Sequence, residues 1–166
     1  FSSDSPKPTI RHLLTHTSGL PRDVGKTWLS PPTEAELFAA LKSEAKFGFA
    51  PGTMRMYSNL GYALLGLVLA RVAKEPFTQF VERRILKPLG IGGAAWNEEA
   101  VPATRLATGY LKRYGHYVPT SRWVSGGSNV ELGAAAAAGG LYASLNDLVK
   151  LVRFQLAAWP PRDDAE

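Results

Sequence analysis

A chain of 166 residues with no cysteine and a net charge of +5 has room for one domain with a proper core. It excludes a disulfide framework, a thiolate metal site and cysteine redox chemistry. Its basic residues are scattered: the densest spots, Arg83-Arg84 with Lys87 and Lys112-Arg113, are interleaved with Glu or apolar residues, unlike a phosphate-binding footprint, so nucleic acid is not expected as a partner.

Thr9 can cap a first helix whose positions Ile10, Leu13, Leu14 and Thr17 share one face, with Gly19 and Pro21 as stops. Thr33 and Glu36 form a capping box for a second helix, striped by Leu37, Phe38 and Leu41 and ending near Lys46. A loop over Phe47 to Arg55, punctuated by Gly48, Pro51 and Gly52, delivers the chain to a third helix from Leu60 to about Lys74. That helix is apolar nearly all round and is expected to be central. Its uncharged run, Leu60 to Ala70, stops at Arg71 and is too short for a membrane span of about 20 residues.

Pro76 suits the first position of a fourth helix carrying Phe77, Phe80, Val81 and Ile85, ended by Pro88 and Gly90. The aromatics of Thr108 to Val118 around Gly115-His116 predict a small β-hairpin, with His116 in the turn. Ser125 to Ser128 reads as a Gly/Ser loop, and the alanines within Gly133 to Gly140 fit either helix or packed coil. Ser144 with Asp147 starts a last helix through Leu148, Leu151 and Val152 to about Ala158, before Pro160-Pro161 and an acidic tail. The expected fold class is mainly α, with one hairpin near residues 108–118.

Tyr57 and Asn59, two positions apart at the entry to the third helix, are candidates for chemistry, although the spacing alone is a weak signal. In an extended entry strand both could face one cleft, and the helix N-terminus adds positive potential there. A phenol ionises near pH 10, so it serves as a base at neutral pH only where a cation or a helix dipole favours the phenolate. An amide at Asn59 could meet a substrate carbonyl. The plainer reading makes Ser58 or Asn59 a helix cap and Tyr57 a packing residue.

His12 and His16 have the spacing of a metal-binding pair, yet position 13 is Leu where a zinc hydrolase needs Glu, and no third ligand is apparent. Hydrogen-bonded histidines that fix the turn at Thr17-Ser18-Gly19 are the better account. Trp96, Trp123 and Trp159 read as core or rim anchors. Gly126-Gly127 and Gly139-Gly140 lack the lysine and spacing of a phosphate loop, and Ser18, Ser58 and Ser128 lack the glycines of a nucleophile elbow.

Segments in order along the chain resemble one family. Thr9-Ile10-Arg11-His12-Leu13-Leu14-Thr15-His16-Thr17-Ser18-Gly19-Leu20-Pro21 and Phe49 to Asn59, with Pro51-Gly52-Thr53 and Tyr57-Ser58-Asn59, carry the likeness first. The helix from Leu60 to Ala70, Lys87-Pro88-Leu89-Gly90, and Ala138-Gly139-Gly140-Leu141-Tyr142-Ala143-Ser144-Leu145-Asn146-Asp147-Leu148 continue it. Together these resemble the serine β-lactamase and penicillin-binding-protein family, in its class C, D-Ala-D-Ala carboxypeptidase and esterase branch.

The resemblance implies an α+β fold of which this chain would be the helical lobe. It also implies three catalytic motifs: Ser-x-x-Lys, Tyr-x-Asn, and a Lys or His triad near the C-terminus. Tyr57 and Asn59 match the second. The single match to the first, Ser43-Glu44-Ala45-Lys46, falls late in an amphipathic helix, downstream of the Thr9 to Pro21 segment, with Glu44 beside Lys46. The family's serine instead opens an apolar helix upstream. For the third motif, Lys26-Thr27 is followed by Trp28 and His16-Thr17 by Ser18.

The expectation is therefore a single truncated domain, 1–166, of a serine hydrolase acting through an acyl-enzyme on a β-lactam, peptide or ester, inert by itself. No metal or organic cofactor is implied. The family is commonly exported, and the start at Phe1, without Met or a signal-like segment, reads as a cut. Faces left bare by truncation are expected to support a homo-oligomer. The alternative is a non-catalytic binding or scaffold module of the same fold.

Overall fold

A computed structural model describes residues 7–24, 32–119 and 132–158. Outside them lie Lys26-Thr27-Trp28, the Ser125 to Ser128 loop, Trp123, Trp159 and Pro160-Pro161. Helix α1 is Ile10–Leu14, α2 is Glu34–Glu44, α3 is Asn59–Ala73, α4 is Phe77–Val81 and α5 is Leu145–Ala157. Strands β1 (Tyr110–Arg113) and β2 (His116–Pro119) form the antiparallel hairpin, and short 3₁₀ turns occupy Ala103–Arg105 and Gly133–Ala138.

Caps set most of these boundaries. Thr9, Thr33 and Ser144 each close a capping box, with His12, Glu36 and Asp147 as the reciprocal partners. Helix α1 stops at Leu14 instead of reaching Thr17. The Thr15 hydroxyl turns back to donate to the Arg11 carbonyl at 2.9 Å, and His16 adopts a left-handed φ of 58°. Helix α2 ends at Glu44, short of Lys46, where Ala45 turns extended. Lys74 ends α3 in the left-handed conformation, φ 57°.

Pro76 flanks α4 with extended backbone, ψ 140°, so it lies outside the first turn and Phe77 opens the helix. The helix then widens into a π-turn over Glu82–Leu86 before Pro88. In the hairpin the left-handed pair is Tyr114 and Gly115, at φ 47° and 83°. Positive φ at both loop residues matches the right-handed twist of the strands. His116 is therefore no turn residue: it pairs with Arg113 at the start of β2.

The core gathers Leu13, Leu20, Val24, Leu37, Leu60, Ala63, Leu132 and Ala135 around the N-terminal half of α3. The alanine run is a 3₁₀ turn packed on α3. Gly66 makes this approach possible, since a Cβ there would stand 2.6 Å from the Ala137 Cβ. Burial does not extend along the whole helix, for Val72 is 77% exposed. Helix α5 likewise shows solvent an apolar stripe of Leu145, Leu148, Val149, Val152 and Leu156. Among the described residues, no helix is long and apolar enough to cross a membrane.

Candidate active site

Two segments far apart in sequence, 16–24 and 47–60, lie against each other and place the helix entry. Backbone N–H groups of Gly48, Gly52, Met56 and Leu60 donate to the carbonyls of Gly19, Thr17, His16 and Arg22 at 2.9, 2.8, 2.8 and 3.1 Å. Gly19 is required here. Its φ is +79°, and a Cβ would stand 2.2 Å from the Phe49 carbonyl oxygen.

Ser58 is the pin between the segments. Its hydroxyl donates to the Pro21 carbonyl at 2.7 Å and accepts the Gly61 N–H at 2.9 Å, capping α3. Its own N–H donates to His16 Nδ1 at 3.2 Å. Ser58 is thus fully engaged and buried, which assigns the helix cap to it and frees its two neighbours for other work.

Those neighbours enter different surroundings. Tyr57 is 48% exposed, and its ring lies 4.6 Å from the His16 ring, with the Arg22 guanidinium 5.6 Å away over its face. Asn59 is only 8% exposed and donates through Nδ2 to Asp23 Oδ1 at 2.9 Å. Among the described residues the two side chains therefore stand in different surroundings. Tyr57 stands at the surface, and Asn59 closes a small apolar recess lined by Val24, Leu37, Leu60, Ala63 and Ala135.

Arg22 and Asp23 are the residues that sequence reasoning passes over. An Arg-Asp pair after a proline reads as surface charge, and its Nε to Oδ2 separation of 3.4 Å fits that reading. Only the docking of the two segments sets the cation over Tyr57 and the carboxylate beside Asn59. Their position directly after the Thr17 to Pro21 turn was the available signal.

The His12 carbonyl accepts the Thr17 N–H at 2.8 Å, so His12 does hold the start of the Thr17-Ser18-Gly19 turn through its backbone, while both histidine side chains are hydrogen-bonded elsewhere. His12 Nδ1 accepts the Thr9 N–H at 3.2 Å. His16 accepts from Ser58, which leaves its single proton on Nε2. Burial, with Arg55 adding repulsion, holds His16 below the ordinary histidine pKa, so the ring is neutral at pH 7. Among the described residues, no three His, Asp or Glu side chains converge to hold a metal ion. Ser43 sits on the exposed side of α2, its hydroxyl donating to the Ala39 carbonyl at 2.9 Å. Trp96 meets Phe77 edge-on at 5.6 Å, an anchor of the kind expected.

The Beta-lactamase family model matches residues 2–165. The D-alanyl-D-alanine-carboxypeptidase/endopeptidase AmpH of Escherichia coli is 31% identical over 155 residues, which cover 90% of this chain and 37% of that protein. Beta-lactamase-like protein 4 of Dictyostelium discoideum is 30% identical over 87% of this chain and 26% of its own length. The D-amino acid amidase of Ochrobactrum anthropi superposes with a TM-score of 0.72 at 26% identity, over 93% of this chain and 47% of that one. An octameric penicillin-binding protein homologue from Pyrococcus abyssi gives 0.68 at 28% identity, over 90% and 35%. The chain thus spans well under half the length of the curated relatives it matches.

Proposed function

Because the chain belongs to the Beta-lactamase family, we propose that it is the helical part of a serine hydrolase that works through an acyl-enzyme on an amide or ester carbonyl. In this reading residues 1–166 are a portion of one domain. The substrate is a β-lactam, a D-Ala peptide or an ester. A serine outside this segment forms a bond from its Oγ to the carbonyl carbon, and the bond to the leaving nitrogen or oxygen breaks. The serine proton passes by way of Tyr57 and a lysine to the leaving group, and water then releases the acid. Asn59 orients the substrate amide and the lysine.

The carrying observation is the placement of Tyr57. It stands half-exposed one residue before the Ser58 cap, where the free N–H groups of α3 converge, with Arg22 over its ring. Packing alone does not call for a half-exposed phenol at that point. The serines among the described residues support an external nucleophile: Ser18 and Ser58 are buried and hydrogen-bonded, and Ser43 and Ser144 are tied to the Ala39 carbonyl and to Asp147.

The test uses a longer polypeptide that carries this segment and turns over a chromogenic substrate. Tyr57→Phe should lower kcat by roughly 100-fold or more, the effect of losing a general base. A wild-type rate in that variant would reduce Tyr57 to a packing residue.

A further inference from the structure

His16 is left without a role by the chemistry proposed above, yet the entry to α3 hangs on it. Its backbone sits at φ 58°, a left-handed conformation uncommon for residues other than glycine, among which histidine is one of those enriched there. From that position its carbonyl accepts the Met56 N–H at 2.8 Å and its Nδ1 accepts the Ser58 N–H at 3.2 Å. The two residues flanking Tyr57 are thus both bonded to His16. The imidazole also lies 4.6 Å from the Tyr57 ring at 38° and 5.0 Å from the Tyr62 ring at 32°. Tyr62 is itself held, through a 3.1 Å hydrogen bond to the Leu14 carbonyl.

Only a neutral imidazole makes this set of contacts. A second proton on Nδ1 would face the Ser58 N–H, donor against donor, and the bond would open. The groups facing the ring are Arg55 from the loop, Tyr57 from the helix entry and Tyr62 from α3, with Arg22 over the Tyr57 ring. No carboxylate is among these, so none of them would stabilise the imidazolium.

We propose that His16 is the positioning residue of Tyr57: its neutral ring fixes the phenol at the N-terminus of α3, and its protonation releases the phenol. The consequence for turnover rests on the reading of Tyr57 as the proton-transfer residue; the positioning itself does not.

The test is a pH titration of the 166-residue chain by NMR. The Tyr57 ring resonances are assigned by their loss in Tyr57→Phe, and the His16 ring protons are followed in the same samples. The expected result is a Tyr57 shift with the same midpoint as His16, below the ordinary histidine value, while the Trp96 indole signal stays in place. In His16→Phe, which keeps an aromatic face but neither titrates nor accepts from Ser58, that acid-side shift disappears. If His16→Phe does not fold, the wild-type titration decides alone. A Tyr57 signal that stays flat through the His16 titration overturns the proposal. Movement of Trp96 at the same midpoint also overturns it, because the transition is then global. Failure of the catalytic reading appears elsewhere, as unchanged kcat in Tyr57→Phe, and leaves this titration unaffected.

Discussion

Asp23 accepts the side-chain amide of Asn59 at 2.9 Å across 36 residues of sequence, and Asn59 is almost completely buried. A buried amide that loses its acceptor pays its full desolvation cost. Asp23→Ala should therefore destabilise the chain by about 1–3 kcal/mol in urea unfolding, and Asp23→Asn by less, because it restores an oxygen. Equal midpoints for Asp23→Ala and wild type would show that the contact carries no energy.

Gly66 sets two effects against each other. Replacing a mid-helix glycine by alanine ordinarily gains about 1 kcal/mol of helix propensity. Here the new methyl would meet the Ala137 Cβ at 2.6 Å, and prying α3 from the 3₁₀ turn costs roughly 1–3 kcal/mol. Gly66→Ala should be net destabilising by thermal melting, and Gly66→Val more so. A raised melting point in Gly66→Ala would mean that the alanine turn simply shifts aside.

Two titrating groups give stability two separate pH windows. His16 is held below its ordinary 6.5 by burial, with Arg55 adding to it, so the unfolded chain takes up the proton first as pH falls. Stability is full above that ordinary value and declines through the lower folded one. Asp147 is held below its ordinary 3.8 by the Ser144 hydrogen bonds, with Lys150 and Arg105 nearby. Its contribution is present above 3.8 and lost as pH falls through the folded value. Urea midpoints against pH should show both declines, with His16→Gln removing the upper and Ser144→Ala reducing the lower, to which Glu36 and Glu75, also held below their ordinary values, contribute.

The isolated chain should hydrolyse neither a chromogenic cephalosporin nor a p-nitrophenyl ester. Turnover abolished by Ser43→Ala would restore the Ser43-Glu44-Ala45-Lys46 motif as a nucleophile and refute the proposed division of the site.

Association should follow from the bare stripe on α5. Contiguous apolar patches of more than several hundred Å² tend to pair, and Leu145, Leu148, Val149, Val152 and Leu156 all lie bare on α5. Light scattering should report a dimer or larger species, and Leu148→Glu with Val152→Glu should return a monomer. A monomeric wild-type chain would sink this expectation.

Where a local rule decided the outcome, the sequence was readable. Thr33 with Glu36 and Ser144 with Asp147 cap their helices as their spacing implies, and the family resemblance carried the fold. The departures are tertiary. Nothing in the order Tyr57-Ser58-Asn59 says that one neighbour faces water and the other an aspartate, because the decision belongs to the docked segment 16–24. The end of α1 was hidden for a related reason: His16 turns left-handed to serve partners 40 and 42 positions on, against the helical pattern of its own neighbourhood.

The lacing of those two segments also carries a cost in chain entropy. The bonds that seat Tyr57 and Asn59 join residues 36, 37 and 42 positions apart, with α2 inside the loop they close. Closing about 40 residues costs roughly 3 kcal/mol of chain entropy before any of these bonds forms. The order around Tyr57 and Asn59 therefore depends on contacts distant in sequence, and it is expected to be lost together with the docking of the two segments.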